Sequence, residues 1–215
     1  GDGDLDIVFA HAGFNTDTVW LNDGSGTFTF TGQFLSFVGS EGVAIGDVDG
    51  DRDLDLVFAN SGAADKVWVN DGTGAFTDSG QSLGTDDSFE VGLGDLDGDG
   101  DLDALFFVHN AAAKVWFNDG AGGFSTSGPD IGPEHYYHGA LGDLDGDGDL
   151  DAIFAVHNGA NEIYLNDGSG SLSNSGQTLG TSMSEAVALG DLDGDRDLDA
   201  TFANNGEPNT VFVNN

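Results

Sequence analysis

Residues 46–55, GDVDGDRDLD, carry an aspartate at every second position, and the same pattern returns at 94–103, 142–151 and 190–199. Each copy begins 48 residues after the one before, and a shorter copy, GDGDLD, occupies residues 1–6. Self-similarity at a period of 20–50 residues is typical of solenoids, propellers and repeat arrays. The period therefore predicts a repeat architecture. The aspartates predict its chemistry, because five carboxylates within nine residues repel one another unless a cation lies among them.

Each repeat contains four short segments with the character of β-strands. In the second repeat these are Val43–Ile45, Leu56–Ala59, Lys66–Val69 and Ala75–Asp78. The second segment is apolar throughout, which predicts burial on both faces, and the third ends in Asn-Asp-Gly, a strong hairpin signal. The fourth alternates as an outer strand would, and helical periodicity is absent. We predict an all-β protein, a β-propeller of four-stranded antiparallel blades, because a β-helix would need shorter coils and a sandwich would not repeat its sequence.

An aromatic column repeats with the same period. We expect it to form core between blades, since regularly spaced aromatic residues in repeats usually pack rather than form an exposed platform. Its members are Trp20, Trp68, Trp116, Tyr164 and Phe212.

The repeats predict a single propeller domain over residues 1–215. We expect a partial blade at 1–36, full blades at 37–84, 85–132 and 133–180, and a partial blade at 181–215. Both ends carry strands two and three of a blade, so the two ends are not complementary. We therefore expect a segment of a longer array, for which seven blades is within the usual range, and the alternative is a five-bladed ring with two incomplete blades.

The composition excludes several classes of partner and site. The formal charge is −35, with 39 acidic and four basic residues, so nucleic acid and anionic membrane surfaces are unfavourable partners. The chain has no Cys, which excludes disulfides and thiolate metal sites. No apolar run approaches membrane-spanning length, and we predict no membrane insertion. No signal peptide is visible, but the chain starts inside a motif, so a leader could lie upstream.

The aspartate loops have the ligand chemistry of a calcium site. Positions one, three, five and nine offer carboxylates and position seven can offer its backbone carbonyl, and six to eight oxygen ligands suit Ca²⁺. Zn²⁺ would favour His or Cys, and Mg²⁺ should compete weakly because it demands an octahedron. An EF-hand needs Glu at position twelve, where each repeat has Phe, and the repeats of toxin-type β-helices have another period. The remaining alternative is a solvated acidic turn without metal. We also expect the leucines at position eight to anchor the loops to the core, at Leu54, Leu102, Leu150 and Leu198.

The pattern D-x-D-x-D-x-x-x-D between two strands, with G-D-x-D-G-D before it and N-D-G-x-G after it, resembles the FG-GAP/VCBS repeat family. That family includes the calcium-binding blades of integrin α-subunit propellers and many secreted bacterial proteins. The resemblance covers essentially the whole chain. It implies a β-propeller with Ca²⁺ in the loop between the first and second strands, about four ions with one per full loop. The residues so implied are Asp47, Asp49, Asp51, Asp53 and Asp55; Asp95, Asp97, Asp99, Asp101 and Asp103; Asp143, Asp145, Asp147, Asp149 and Asp151; Asp191, Asp193, Asp195, Asp197 and Asp199; and a partial site of Asp2, Asp4 and Asp6.

Two loops depart from the family pattern at position six, which is usually Gly. Gly100 and Gly148 keep it, whereas Arg52 and Arg196 replace it. If that position needs a positive φ, the two arginines are strained there, and we expect weaker Ca²⁺ affinity in their loops.

The connections at the other end of the blades vary most between repeats, and GPEHYYH at 132–138 is the most distinctive. Aromatic and imidazole groups together can stack on and hydrogen-bond a sugar or a peptide. The candidate ligand residues are Phe89, His135, Tyr136, Tyr137 and His138. We favour a simpler interpretation, in which these are ordinary loop residues and one Tyr packs between blades. His109 and His157 share a column and are expected to be solvent-facing, since two ligands are too few for a metal site.

The sequence contains no nucleophile elbow, phosphate loop or His-rich metal cluster, which predicts a non-catalytic protein. The first functional hypothesis is a calcium-stabilised extracellular binding or adhesion module that recognises carbohydrate or protein through the face opposite the calcium loops. Extracellular modules often have sites of roughly 10⁻⁴–10⁻³ M, which cytosolic calcium would not fill, so we expect secretion or display at the cell surface. The alternatives are a purely structural repeat or spacer, and a propeller domain accessory to an enzyme outside this segment. The oligomeric state stays open.

Overall fold

The structure is a computed structural model that describes residues 3–13, 15–36, 38–126, 130–132 and 136–215. Its described residues form eighteen strands and no helix, so no helix is available there to cross a membrane. The strands make five antiparallel sheets in which sequence neighbours pair. The first sheet contains β1 (Ile7–Phe9), β2 (Thr18–Asn22) and β3 (Phe28–Phe34). The fifth sheet contains β16 (Ser184–Gly190), β17 (Asp199–Asn204) and β18 (Thr210–Phe212).

The three middle sheets each have four strands in chain order. The second contains β4 (Gly39–Gly46), β5 (Asp55–Ser61), β6 (Lys66–Asn70) and β7 (Phe76–Asp78). The third contains β8 (Ser88–Gly94), β9 (Asp103–Val108), β10 (Lys114–Asn118) and β11 (Phe124–Thr126). The fourth contains β12 (Tyr136–Gly142), β13 (Asp151–Val156), β14 (Asn161–Asn166) and β15 (Leu172–Leu179). The predicted all-β architecture of four-stranded antiparallel blades is confirmed.

The strands predicted to be apolar on both faces are the most deeply buried. All six residues of β9 and all six of β13 are buried, as are the first six of β5. The pairing between the second and third strands repeats with the same period. In each sheet the residue of the aromatic column pairs with the residue that directly follows the last aspartate of the loop. Leu56 pairs with Trp68, and Ala152 pairs with Tyr164. The fourth strands, such as β7, are largely exposed, as their alternating sequence predicts.

The chain divides into two compact units, one of Gly1–Val91 with Asn118–Ser125 and one of Gly92–Phe117 with Thr126–Asn215. In the first unit a core forms around Val19, Leu56 and Phe58, with Trp68 packed against it. Two of the clusters that the described residues form lie in the second unit, and the larger of them contains a group of edge-to-face aromatic rings. Phe107 and Phe154 are 5.5 Å apart between ring centroids in that group. Tyr164 packs against the same cluster and Phe212 against the other one, so both lie at core positions.

A buried polar column accompanies these cores, and the repeats satisfy it with different side chains. In the first unit the carboxylate of Asp65 accepts hydrogen bonds from the Asn60 N–H (2.7 Å) and the Ser88 hydroxyl (2.8 Å). One repeat later the position of Asp65 is Ala113, and the Val108 N–H donates instead to the phenol oxygen of Tyr136 at 3.0 Å. The phenol therefore takes the place of the carboxylate as the acceptor for the end of the second strand.

The next repeat uses an amide for the same purpose. The Oδ1 atom of Asn161 accepts from the Val156 N–H at 2.8 Å, and its Nδ2 atom lies 3.0 Å from the Ser184 hydroxyl. Carboxylate, phenol and amide are thus interchangeable solutions to one backbone requirement, because a buried N–H needs an acceptor.

Candidate metal centre

The first aspartate of each loop fixes the loop backbone. The two carboxylate oxygens of Asp47 accept from the N–H groups of Gly50 and Arg52, both at 2.9 Å. The third and fifth positions add two short turns, in which Asp49 accepts from the Asp51 N–H (3.2 Å) and Asp51 accepts from the Asp53 N–H (2.8 Å). The other three full loops repeat these bonds. Aspartate at these positions therefore shapes the loop even before a cation is considered.

The ninth aspartate is buried and held from two sides. Asp55 has no exposed surface, and its carboxylate accepts from the Val48 N–H at 3.0 Å and from the Asn70 N–H at 2.8 Å. Asp151 and Asp199 make the equivalent pairs of bonds. Because Asn70 ends β6, this carboxylate connects the loop between β4 and β5 to the third strand of the same sheet. A cation bound by Asp55 would thus be linked to three strands.

Three carboxylates converge in each full loop. Within each group the ligand atoms lie within 4.8 Å of one another: Asp47, Asp49 and Asp55; Asp95, Asp97 and Asp99; Asp143, Asp145 and Asp151; Asp191, Asp193 and Asp199. Ca²⁺–oxygen distances of about 2.3–2.6 Å allow two ligands of one ion to be at most about 5 Å apart. The separation and the oxygen-only donors therefore fit one Ca²⁺ per loop.

The carboxylates of the seventh position lie elsewhere. A Cβ atom at Gly72 would come within 2.5 Å of the Asp53 carboxylate, and one at Gly168 would meet Asp149 in the same way. These side chains thus lie against the Asn-Asp-Gly turn, which is compatible with a ligand role for their backbone carbonyls only. In the partial loop, Asp6 accepts from the Asn22 N–H at 2.9 Å, as the ninth aspartates do. Asp2 lies outside the described residues.

The loops carry an electrostatic cost that a cation would relieve. Burial raises the pKa of Asp55 and of Asp151 above the usual aspartate value. Desolvation also raises the pKa of Asp49, with a further contribution from its neighbours Asp51 and Asp47. At Asp199 the N–H groups of Asn214 and Leu192 outweigh desolvation and lower the pKa. A divalent cation among these groups would favour the charged form in every loop.

The apolar anchors of the loops differ from those that the sequence predicts. Leu54 is 57 % exposed, so the expectation that every position-eight leucine anchors its loop is wrong there, although Leu150 packs against the core of its unit. The second position anchors two of the loops, because Val48 and Leu96 are almost fully buried, whereas Leu192 at the same position is 58 % exposed. The N–H groups of all three residues bond the ninth aspartate of their loop, so this bond alone does not decide whether the side chain is buried.

Position six does adopt a left-handed conformation in all four full loops. The φ angle is 78° at Arg52 and 86° at Arg196, against 96° at Gly100 and 99° at Gly148. A residue with a Cβ atom in this region costs roughly 1–2 kcal/mol relative to glycine. Arg52 and Arg196 therefore have the positive φ for which strain is expected.

We expect Arg52→Gly to raise the Ca²⁺ affinity of its loop by about three- to tenfold, because the strain is removed from the ordered loop. Calorimetric titration of Ca²⁺ into the variant measures this. Arg52→Ala is the control, since it removes the charge and keeps the Cβ atom. If Ala raised the affinity as much as Gly, charge rather than backbone conformation would be the cause.

The candidate ligand residues fall into different environments. Tyr136 is 2 % exposed and its hydroxyl is used in the core, whereas Tyr137 is 39 % exposed. A register shift between Tyr136 and His138 marks a bulge in β12, and bulges re-aim side chains. His138 and Phe89 are partly buried. His135 lies outside the described residues.

Two imidazole rings that the sequence predicts to face solvent contact Tyr137. The ring centroids of His157 and Tyr137 are 4.7 Å apart and those of His109 and Tyr137 are 5.8 Å apart. Both histidines are partly buried. The Nδ1 atom of His157 is buried and has no hydrogen-bond partner among the described residues. Tyr137 is the second residue of β12, and the aspartate loop follows the last residue of that strand. The three rings therefore lie at the end of the strands away from the metal centre.

The fold has relatives among solved structures. The chain is similar to the BP39L lectin from Burkholderia pseudomallei, with 15 % identity, a TM-score of 0.62, and coverage of 95 % of this chain and 64 % of the lectin. It is also similar to BBS1N, solved in complex with ARL6DN (13 % identity, TM-score 0.53, 79 % of this chain and 52 % of that chain). The computationally designed Ika8 protein gives 14 % identity, a TM-score of 0.51, and coverage of 98 % and 59 %. At these identities the likeness shows the β-propeller-like fold alone, and the chain spans between 52 % and 64 % of these structures.

Comparison with curated proteins gave no match. Comparison with protein families did: the FG-GAP-like repeat matches residues 1–58, 47–106, 95–154 and 143–201. Successive matches overlap, and each ends shortly after an aspartate loop. Together they cover nearly the whole chain, which therefore belongs to the FG-GAP-like repeat family.

Proposed function

We propose that this chain is a calcium-stabilised, non-catalytic binding module of a secreted or cell-surface protein. In this proposal each 48-residue repeat is one blade, each full aspartate loop binds one Ca²⁺, and the ligand binds at the opposite end of the blades. The observation that carries it is the convergence of three carboxylates within 4.8 Å in every one of the four full loops.

The position of the loops supports a structural role for the ion. Each full loop connects the first and second strands of its sheet, and the buried ninth aspartate also bonds the end of the third strand. An ion there would stabilise the folded sheet and would have no equivalent site in the unfolded chain. Binding of this kind stabilises by mass action. Sites of modest affinity are filled only where calcium is abundant, which supports an extracellular location.

The ligand surface is proposed around Tyr137. Its bulge directs the ring outward, and it lies beside the imidazole rings of His109 and His157. An aromatic ring next to hydrogen-bonding groups suits a sugar or a peptide side chain. The charge of −35 disfavours anionic ligands, so we expect a neutral glycan or a neutral to basic protein surface.

A glycan array and a panel of immobilised extracellular proteins, probed in Ca²⁺, test this surface. We expect binding that Tyr137→Ala weakens at least tenfold and that Phe28→Ala leaves unchanged. Phe28 is the matched control, because it is 38 % exposed and lies on an outer strand of the first sheet. Binding that is insensitive to Tyr137→Ala would place the ligand elsewhere. Absence of any binding would favour the structural spacer and would leave the calcium proposal intact.

A further inference from the structure

Asn166 contacts two neighbouring aspartate loops at once. Its Nδ2 atom donates to the carbonyl of Leu96 at 2.8 Å and to the carbonyl of Leu150 at 3.2 Å. Its backbone N–H donates to the carboxylate of Asp151 at 2.8 Å. Leu96 belongs to the loop 95–103, and the other two partners belong to the loop 143–151. One side chain therefore connects two candidate calcium sites within the second unit.

The same connection recurs one repeat later. The Nδ2 atom of Asn214 donates to the Leu144 carbonyl at 2.9 Å, and its N–H donates to the Asp199 carboxylate at 2.8 Å. Leu144 belongs to the loop 143–151 and Asp199 ends the loop 191–199. The three loops of the second unit are thus joined in series by two asparagines. In the first unit Asn118 makes the corresponding bond to the Val48 carbonyl at 2.8 Å.

Each bonded carbonyl belongs to the residue between two aspartates of a converging group. The Leu96 carbonyl is part of the chain between Asp95 and Asp97, and the Leu144 carbonyl is part of the chain between Asp143 and Asp145. All four aspartates belong to the converging carboxylate groups. An amide that holds such a carbonyl restrains how the two flanking carboxylates are presented. The asparagine is therefore in contact with both loops at the positions that present their ligands.

Asn70 bonds within its own repeat. Its Nδ2 atom donates to the carbonyl of Leu54 in its own loop, and its Oδ1 atom accepts from the N–H groups of Gly72 (3.2 Å) and Gly74 (3.1 Å). In Asn166 the Oδ1 atom is buried without a partner among the described residues. A buried unsatisfied acceptor is unfavourable, so the two donated bonds must hold the amide in this orientation.

We propose that Asn166 and Asn214 are positioning residues that couple calcium binding between adjacent loops, so that occupancy of one loop raises the affinity of the next. The proposal rests on the calcium binding proposed above. Coupling between binding sites is reciprocal and typically changes affinity by about 5–150-fold. We expect a factor near the lower end, since one side chain carries the connection.

Nuclear magnetic resonance during a Ca²⁺ titration can follow each loop separately. The reporters are the fourth-position glycines, whose N–H groups bond the first aspartate of each loop: Gly50, Gly98, Gly146 and Gly194. Asp145→Ala should weaken the middle loop and, through the coupling, lower the affinity reported by Gly98 and Gly194 about fivefold. Gly50, whose loop is two repeats away from Asp145, should change less than Gly98. Unchanged titrations at both Gly98 and Gly194 would overturn the proposal.

Variants of the asparagines complete the test as a double-mutant cycle. In Asn166→Ala, the further change Asp145→Ala should no longer affect Gly98, while its effect on Gly194 through Asn214 should persist. Asn70→Ala is the matched control and should weaken only the loop reported by Gly50. If Ca²⁺ binds but Asp145→Ala affects Gly98 equally with and without Asn166, the coupling does not pass through this side chain. If no glycine responds to Ca²⁺, the calcium proposal itself fails.

Discussion

Ca²⁺ at 10 mM should raise the thermal unfolding midpoint of chelator-treated protein by roughly 10–40 °C. This Ca²⁺ concentration is about ten- to a hundredfold above the dissociation constants of sites of about 10⁻⁴–10⁻³ M. Each such site would stabilise the fold by about 1.4–2.7 kcal/mol. Four such sites together give about 6–11 kcal/mol. A chain of this size shifts by about 2–4 °C per kcal/mol. Scanning calorimetry with and without chelator measures the shift.

Two controls separate specific binding from charge screening, since a chain of charge −35 is stabilised by any salt. NaCl at matched ionic strength should produce a small part of the shift, and Mg²⁺ only slightly more, because its octahedral requirement does not suit a dense carboxylate loop. An equal shift with NaCl would show that screening alone acts.

Asp65→Asn should stabilise the protein by about 2–4 kcal/mol at pH 8 and change it little at pH 4.5. Burial raises the pKa of Asp65 to about 7, with Asp86 adding to the effect, although the Asn60 N–H and the Ser88 hydroxyl lower it. The folded state therefore keeps a proton that the unfolded state releases near pH 4. Stability falls as pH rises from about 4 to 7 and is level above that range. An amide has no such proton to lose, and Asn161 shows that it makes the same backbone contact.

Chemical denaturation of both proteins in saturating Ca²⁺ between pH 4.5 and 8 provides the test, because the difference between them isolates Asp65. Glu41→Gln removes one charge from an exposed position and should be nearly neutral throughout. Destabilisation by Asp65→Asn of equal size at both pH values would mean that the carboxylate is needed in its charged form.

Much of the architecture could be predicted because a constant period constrains it. The apolar segments after each aspartate loop predicted the fully buried strands β5, β9 and β13, and the Asn-Asp-Gly turns predicted the hairpins that follow β6, β10 and β14. In the loops the spacing predicted clustered carboxylates, and the first and third aspartates do converge in all four full loops. The carboxylates of Asp53 and Asp149 lie instead against the Asn-Asp-Gly turns.

Other features depended on contacts between distant residues. Tyr136 and Tyr137 are adjacent in sequence, and only the bulge in β12 decides which ring is buried. The role of Tyr136 also depends on Ala113, which leaves the space and the unpaired N–H that the phenol fills. The bond from Asn166 to Leu96 spans 70 residues, so no local pattern predicts it.

The most direct test of the central claim is the stoichiometry of calcium binding, measured by calorimetric titration of chelator-treated protein in a background of Mg²⁺. The convergence of carboxylates in each full loop predicts four Ca²⁺ per chain. The variant Asp97→Ala should reduce the number to three at the concentrations used. Saturation by Mg²⁺ before any Ca²⁺ is added, or absence of calcium binding, would contradict the account.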